Sequence, residues 1–185
     1  MTKAELRRWA RQRRKALDLA AFAVQALPHL AGLLAGRRRV LLYAPLPYEP
    51  DPRGVARLLP EARFYLPRVE GEELAVLPLD APLVPGAFGV LEPAGGEPLP
   101  PEALDAVVVP ALAFDRRGFR LGQGKGYYDR FLKRLARDAL TVGFVPEALV
   151  LDELPADPWD VPVRAIVTEA GVLEPSVPGP QDAPF

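Results

Sequence analysis

Cysteine is absent and histidine occurs once, as His29. No disulfide, thiolate nucleophile or cysteine-ligated zinc can be built from such a chain. A Ser-His-Asp triad or a multi-histidine metal centre would have to rest on His29, which follows Pro28 in an alanine- and leucine-rich stretch and reads as a surface or helix-end residue. Long apolar runs are missing too. The most apolar stretch, Leu19 to Leu34, contains Gln25, Pro28 and His29 and falls short of the roughly 20 residues that a membrane span requires. The basic N-terminus lacks a continuous apolar run and a small-residue cleavage signal, so no signal peptide is expected. A reducing, cytoplasmic setting fits these absences. The formal net charge of −1 gives no overall field that would select nucleic acid or membrane.

With 185 residues, 49% of them apolar, the chain has the means to bury the core of one domain. Thr2 and Glu5 have the spacing of a capping box, and a helix dense in basic residues runs from there to Leu17. Asp18 caps a second helix, Leu19 to Leu34, which Gly36 stops. Arg39 to Ala44 reads as a short buried strand, followed by a proline-rich loop and a short helix from Asp51 to Leu59. Ala62 to Leu66 and Leu74 to Leu77 read as strands. The Pro/Gly-rich passage from Pro78 to Pro101, which contains FGVLEP, reads as one long functional loop. Ala106 to Val109 is an apolar, β-branched strand. A helix is expected from Tyr127 to Arg137, and strands over Thr141 to Phe144 and Arg164 to Thr168. From Glu174 the chain reads as a loose proline-rich tail. Strands alternating with helices predict an α/β layered sheet, whose ligands gather beyond the carboxyl ends of strands.

The segment richest in chemistry is FDRRGFRLGQGKGYYDR, from Phe114 to Arg130. Gly122, Gly124 and Gly126 alternate and let the backbone approach a ligand closely. Exposed amides before a helix suit an anion, Arg120 and Lys125 supply positive charge, and Asp129 is placed to hold a hydrated Mg²⁺. The segment is neither a Walker A loop, because Gly126 stands where Ser or Thr is required, nor GxGxxG. On the first helix, Lys3 and Arg7 lie one turn apart and can clamp one phosphate, whereas Arg11, Arg13, Arg14 and Lys15 read as a solvated charged face. Glu49, in YAPLPYEPD, is open to two readings: a ligand-binding carboxylate at a strand's end, or a surface glutamate in a turn. Asp160 alone reads as a loop acid.

Together these segments resemble the 5-formyltetrahydrofolate cyclo-ligase family. The likeness runs from Lys3 to about Glu169 and centres on VPALAFDRRGFRLGQGKGYYDRFL, with KAELR, the loop Tyr43 to Asp51, LPRV, GVLEP and WDVPV…IVTE in the same order. The resemblance implies a single-domain, three-layer α/β/α sandwich with a mostly parallel sheet, akin to sugar-phosphate isomerase and CoA-transferase folds. It also implies a reaction in which ATP phosphorylates the formyl oxygen of 5-formyltetrahydrofolate and nitrogen-10 closes the ring to the 5,10-methenyl form. Lys3 and Arg7 match ATP-binding positions. So do Arg120, Leu121, Gly122, Gln123, Gly124, Lys125, Gly126, Tyr127 and Tyr128. Within that set Arg120, Lys125 and Tyr127 are the implied catalytic residues. Ala44 and Glu49, with Gln123, Gly124, Lys125, Gly126 and Tyr127, match folate-contacting positions. Asp129 and Asp160 match ligands of Mg²⁺. The implied partners are small molecules, with no nucleic acid or membrane, and a monomer is expected.

Three departures bear on specificity: Gln123 stands where Arg is common, Trp159 where His is common, and Arg164 at an often acidic position. Two rival readings follow. One is a paralogue that binds nucleotide without cyclising folate, for example in thiamine metabolism. The other is a nucleic-acid-binding module using the basic first helix, against which the near-neutral charge counts.

Overall fold

In a computed structural model, residues 1–86 and 89–175 are described. Helix α1 (Lys3–Arg14) begins at the expected capping box: the Thr2 side chain accepts from the Glu5 N–H, and the Glu5 carboxylate accepts from the Thr2 N–H. Helix α2 (Leu19–Leu34) is capped by Asp18, which accepts from the Ala21 N–H at 3.0 Å. Its buried residues, Phe22, Ala26, Leu30 and Leu34, recur every fourth position and form one apolar stripe. His29 is exposed on the other side. No single helix among the described residues is long and apolar enough to cross a membrane.

The strands are β1 (Arg39–Leu41), β2 (Arg63–Glu70), β3 (Glu73–Pro78), β4 (Leu83–Pro85), β5 (Leu91–Pro93), β6 (Ala106–Val109), β7 (Ala113–Asp115) and β8 (Arg120–Leu121). Helix α3 (Tyr127–Leu132) follows, then β9 (Leu140–Phe144), β10 (Val150–Leu151), β11 (Ala165–Thr168) and β12 (Gly171–Leu173). Seven strands form one sheet in the order β12-β11-β9-β6-β1-β2-β3. The strands from β11 to β2 pair in parallel, and β12 and β3 close the edges antiparallel. The mixed, mostly parallel α/β sheet is therefore present.

Strand β6 explains how the sheet is covered. All of its residues are buried, and because side chains alternate across a strand they enter two different cores. Ala106 and Val108 pack with Phe22, Leu30 and Leu34 of α2. Val107 and Val109 pack with Leu6 and Ala10 of α1 and with Phe131 and Leu132 of α3. The second layer is more than helix: it includes a three-stranded sheet, β10-β7-β8, whose Phe114 is fully buried.

Several expectations change. The short helix expected over residues 51–59 is a 3-10 helix confined to Arg53–Arg57. There Asp51 accepts from both the Arg53 N–H and its guanidinium, so the tight turn is held by the side chain. Strand β2 is longer than expected, because Gly71 (φ 63°) turns it directly into β3. The passage 78–101 is not one loop: β4 and β5 pair as a hairpin, and β5 anchors on β2 through Glu92, whose carboxylate accepts from the Val69 N–H at 2.8 Å. Phe88 of FGVLEP lies outside the described residues. The segment from Phe114 is a hairpin, β7–β8, before it becomes a glycine loop, with the Asp115 carboxylate accepting from the N–H groups of Arg117 and Phe119 inside its turn. Helix α3 stops at Leu132 instead of Arg137, and tight i→i+3 bonds from Arg134 and Leu135 return the chain to β9. The expected tail lies, from residue 176, outside the described residues.

Candidate active site

The chain leaves β1 for β2 and β3 on one side, then returns as β6 on the other. Strand order reverses between β1 and β6, and a crevice opens beyond their carboxyl ends. There the loop after β1, the loop after β6, the glycine loop 122–126, one face of α1 and the segment 157–160 enclose a cleft of about 770 Å³. Every residue that the resemblance assigned to a site lines it: Lys3, Arg7, Ala44, Glu49, Arg120 to Tyr128, Asp129 and Asp160.

Helix α1 contributes a stripe of cations, and here the sequence reading needs correction. Residues 3, 7, 11 and 14 share one helical face. Lys3 Nζ donates to Asp157 Oδ2 at 2.6 Å and to Asp160 Oδ2 at 3.2 Å. Burial disfavours the Lys3 charge, but these hydrogen bonds outweigh it and leave the pKa raised. Arg7 Nε donates to the Gly122 carbonyl at 2.9 Å. Arg11 lines the cleft and donates to Gln123 Oε1 at 3.1 Å. Arg14 is not solvated: it is 2% exposed and gives its guanidinium to the carbonyls of Tyr48, Ala111 and Leu112. Arg11, Arg13 and Lys15 are exposed as expected, although Arg11 also lines the cleft. The three-and-four spacing of the stripe was the available signal.

The glycine loop is shaped by its backbone. Gly126 (φ 77°) caps α3 in the left-handed region, which an L side chain adopts only under strain. With six residues, α3 adds little dipole, so positive charge near the loop comes mainly from side chains. Arg120 is the innermost of these. Its side chain is 8% exposed, its Nη2 lies 3.7 Å from Asp129 Oδ1, and its guanidinium lies over the Tyr128 ring at 5.5 Å. Burial lowers its pKa, against the pull of Asp129. Its Nε and the Gln123 Nε2 are buried without a hydrogen-bond partner among the described residues. Unsatisfied buried donors of this kind point to an acceptor that a ligand brings. Tyr127, also in the cleft lining, donates its hydroxyl to the Gly71 carbonyl at 3.3 Å.

The cleft lining also includes apolar and aromatic residues, Tyr43, Tyr48, Pro67, Val69 and Val90, together with Glu49 and Glu92. Of the two readings of Glu49, the exposed turn glutamate is excluded: it is 9% exposed, and its Oε1 accepts from the Leu46 N–H at 2.9 Å. Burial pushes its pKa up, while the Leu46 N–H, Arg14 and Arg120 pull it down. Tyr43 and Tyr128 are held neutral by burial, and Tyr43 donates to the Pro50 carbonyl at 3.0 Å. Sequence reasoning missed Arg11, Tyr43, Tyr48, Glu92 and Asp157 as cleft residues, because each is brought in by a contact distant in sequence.

No group of three or more Asp, Glu or His residues gathers in metal-binding geometry among the described residues. Mg²⁺ keeps several waters and takes only one or two protein carboxylates together with phosphates. Asp129 and Asp160 line the cleft with side chains 30% and 14% exposed, each beside a cation, so this donor set fits such an ion.

Comparison with known proteins gives a consistent result. Residues 2–169 match the model of the 5-formyltetrahydrofolate cyclo-ligase family. A 5-formyltetrahydrofolate cyclo-ligase of Mycolicibacterium smegmatis is 38% identical over 151 residues, covering 75% of this chain and 77% of that protein. The 5,10-methenyltetrahydrofolate synthetase of Aquifex aeolicus superposes with a TM-score of 0.79 at 38% identity, over 94% of this chain and 93% of that one. The synthetase of Mycoplasma pneumoniae superposes with a TM-score of 0.75 at 25% identity, over 91% and 99%. The chain belongs to the 5-formyltetrahydrofolate cyclo-ligase family, a family of ligases.

Proposed function

We propose that the protein converts 5-formyltetrahydrofolate to 5,10-methenyltetrahydrofolate with ATP and Mg²⁺, releasing ADP and phosphate. The observation that carries this reading is that one cleft combines a cationic glycine loop with apolar and tyrosine side chains and a buried carboxylate, continuous within one chain.

At the glycine loop, Lys3, Arg7, Arg120 and Lys125 would surround the phosphates of ATP, with the backbone of 122–126 close against them. Asp129 and Asp160 would hold Mg²⁺, which when bound neutralises phosphate charge. In the free protein these carboxylates rest against Arg120 and Lys3. Binding of Mg-ATP would exchange each such contact for one to metal or phosphate. In the same cleft Glu49 would accept hydrogen bonds from the donor edge of the pterin, with Ala44 and the tyrosines against its faces.

The formyl oxygen attacks the γ-phosphorus, and ADP leaves with the electron pair of the broken P–O bond. Nitrogen-10 adds to the activated formyl carbon, the C–O bond breaks, phosphate departs, and the nitrogen-10 proton is lost to solvent. Tethering makes the ring closure intramolecular, a large advantage. Positioning and charge neutralisation suffice for phosphoryl transfer, so a chain without cysteine and with one exposed histidine can perform it. The reading extends to a monomeric, single-domain, cytoplasmic enzyme acting on small molecules.

The test is the absorbance of the methenyl product from purified protein, 5-formyltetrahydrofolate and Mg-ATP. Formation of product and ADP in equal amounts is expected; no product at saturating substrates overturns the proposal.

A further inference from the structure

Arg14 lies beneath the cleft and is absent from every role assigned above. It projects from α1 into the point where strand order reverses, and it is 2% exposed. Its Nη1 donates to the Tyr48 carbonyl at 2.5 Å, its Nη2 to the carbonyls of Ala111 and Leu112 at 2.6 and 2.7 Å, and its Nε again to Leu112 at 3.1 Å. One guanidinium thus joins the loop that follows β1 to the loop that follows β6, the two walls of the crevice.

No carboxylate within ion-pairing distance neutralises it among the described residues. A buried cation held by carbonyl oxygens without an ion-pair partner is expensive, and an apolar side chain would fill the same place with less loss. The planar fork of arginine, by contrast, can hold three carbonyls at fixed angles, which lysine cannot.

We infer that Arg14 is a positioning residue: it clamps the two switch-point loops together, sets Glu49 in the cleft, and lends that carboxylate its positive charge. The inference rests on the proposed role of Glu49 in binding the reduced pterin. Glu49 follows Tyr48, whose carbonyl Arg14 holds. The charged and titratable groups around Glu49 are Arg14, Arg120, Tyr43 and Tyr128. Both tyrosines stay neutral through burial, so ionised Glu49 is favoured first by the Leu46 N–H and then by the two arginines.

Clamp and charge separate in two variants. Arg14→Lys keeps the charge but cannot bridge both loops. Arg14→Met fills the space and removes both. At saturating Mg-ATP, each is expected to lose about 100-fold in kcat/KM for 5-formyltetrahydrofolate, the scale of a misplacement of about 1 Å. The pH midpoint of folate binding should move upward in Arg14→Met and stay near that of the unmodified protein in Arg14→Lys.

Folded Arg14→Lys with unaltered kcat/KM overturns the clamp, and an unshifted midpoint in folded Arg14→Met overturns the electrostatic part. If Arg14→Met does not fold, Arg14→Lys decides the inference: lost kcat/KM supports it, and unaltered kcat/KM overturns it. A Glu49→Gln variant with the pH profile of the unmodified protein would instead sink the pterin-binding reading, whatever Arg14 does.

Discussion

Arg120 Nη2 stands 3.7 Å from Asp129 Oδ1, while Arg120 Nε, sealed from solvent, finds no hydrogen-bond partner among the described residues. Nη2 faces a carboxylate and Nη1 donates to the Pro110 carbonyl at 3.5 Å, which leaves Nε as the donor for an incoming acceptor. Arg120→Met should therefore lower kcat/KM for ATP by about 10²–10³-fold, the usual effect of removing one donor from developing negative charge. Steady-state kinetics with varied Mg-ATP checks this, and a loss below tenfold would remove Arg120 from the phosphate site.

Lys125 is exposed on the same loop. Lys125→Ala should impair ATP use severely while changing stability by no more than about 0.5 kcal/mol, as surface substitutions do. Urea melts beside the kinetic assay separate the two effects. A collapsed fold would identify Lys125 as structural.

Glu49 gives the expected pH dependence. Its pKa is raised above the 4.5 of a free glutamate, chiefly by burial. Ionised, it can accept from the pterin; protonated, it loses an acceptor. Folate affinity should fall on acidification, half-way at a pH above 4.5. Stability runs the other way: the native state holds this proton more tightly than the unfolded chain does, so the burden of the buried charge is present at neutral pH and relieved as pH falls through the folded pKa. Glu49→Gln should thus raise Tm at neutral pH while weakening folate binding, and calorimetry with thermal melts reads both. A lower Tm together with unchanged affinity contradicts the assignment.

Asp160 accepts from Lys3 and from the Asp157 N–H at 2.8 Å. Asp160→Asn should raise the Mg²⁺ concentration needed for half-maximal rate while leaving the far-ultraviolet spectrum intact. Titration of Mg²⁺ at fixed ATP measures this. An unaltered requirement would leave Asp160 as a partner of Lys3 alone.

Gly143 tests the fold independently of function. A Cβ there would lie 2.7 Å from the Phe114 ring, inside the core that joins the large and small sheets. Gly143→Ala should destabilise the protein by about 1–3 kcal/mol through overpacking. A denaturation midpoint equal to that of the unmodified chain would mean that Phe114 has room to move.

Much of this protein is determined locally and is legible in the chain alone. The capping box at Thr2 and Glu5, the cap at Asp18 and the apolar run 106–109 set their elements through neighbours within four residues. The glycine loop with Arg120 and Lys125 could be singled out as cleft-lining because spacing and residue type are themselves the signal. Tertiary structure decided what depends on contacts far apart in sequence. The pairing of β4 with β5 and of β7 with β8 turned expected loops into hairpins, since backbone partners outweigh a high content of proline and glycine. Arg14 looks in the sequence like Arg13, and only the carbonyls of Tyr48, Ala111 and Leu112 make it a buried clamp. Glu49 was ambiguous for the same reason: burial and the field of two distant arginines are properties of the folded chain, which no local pattern encodes.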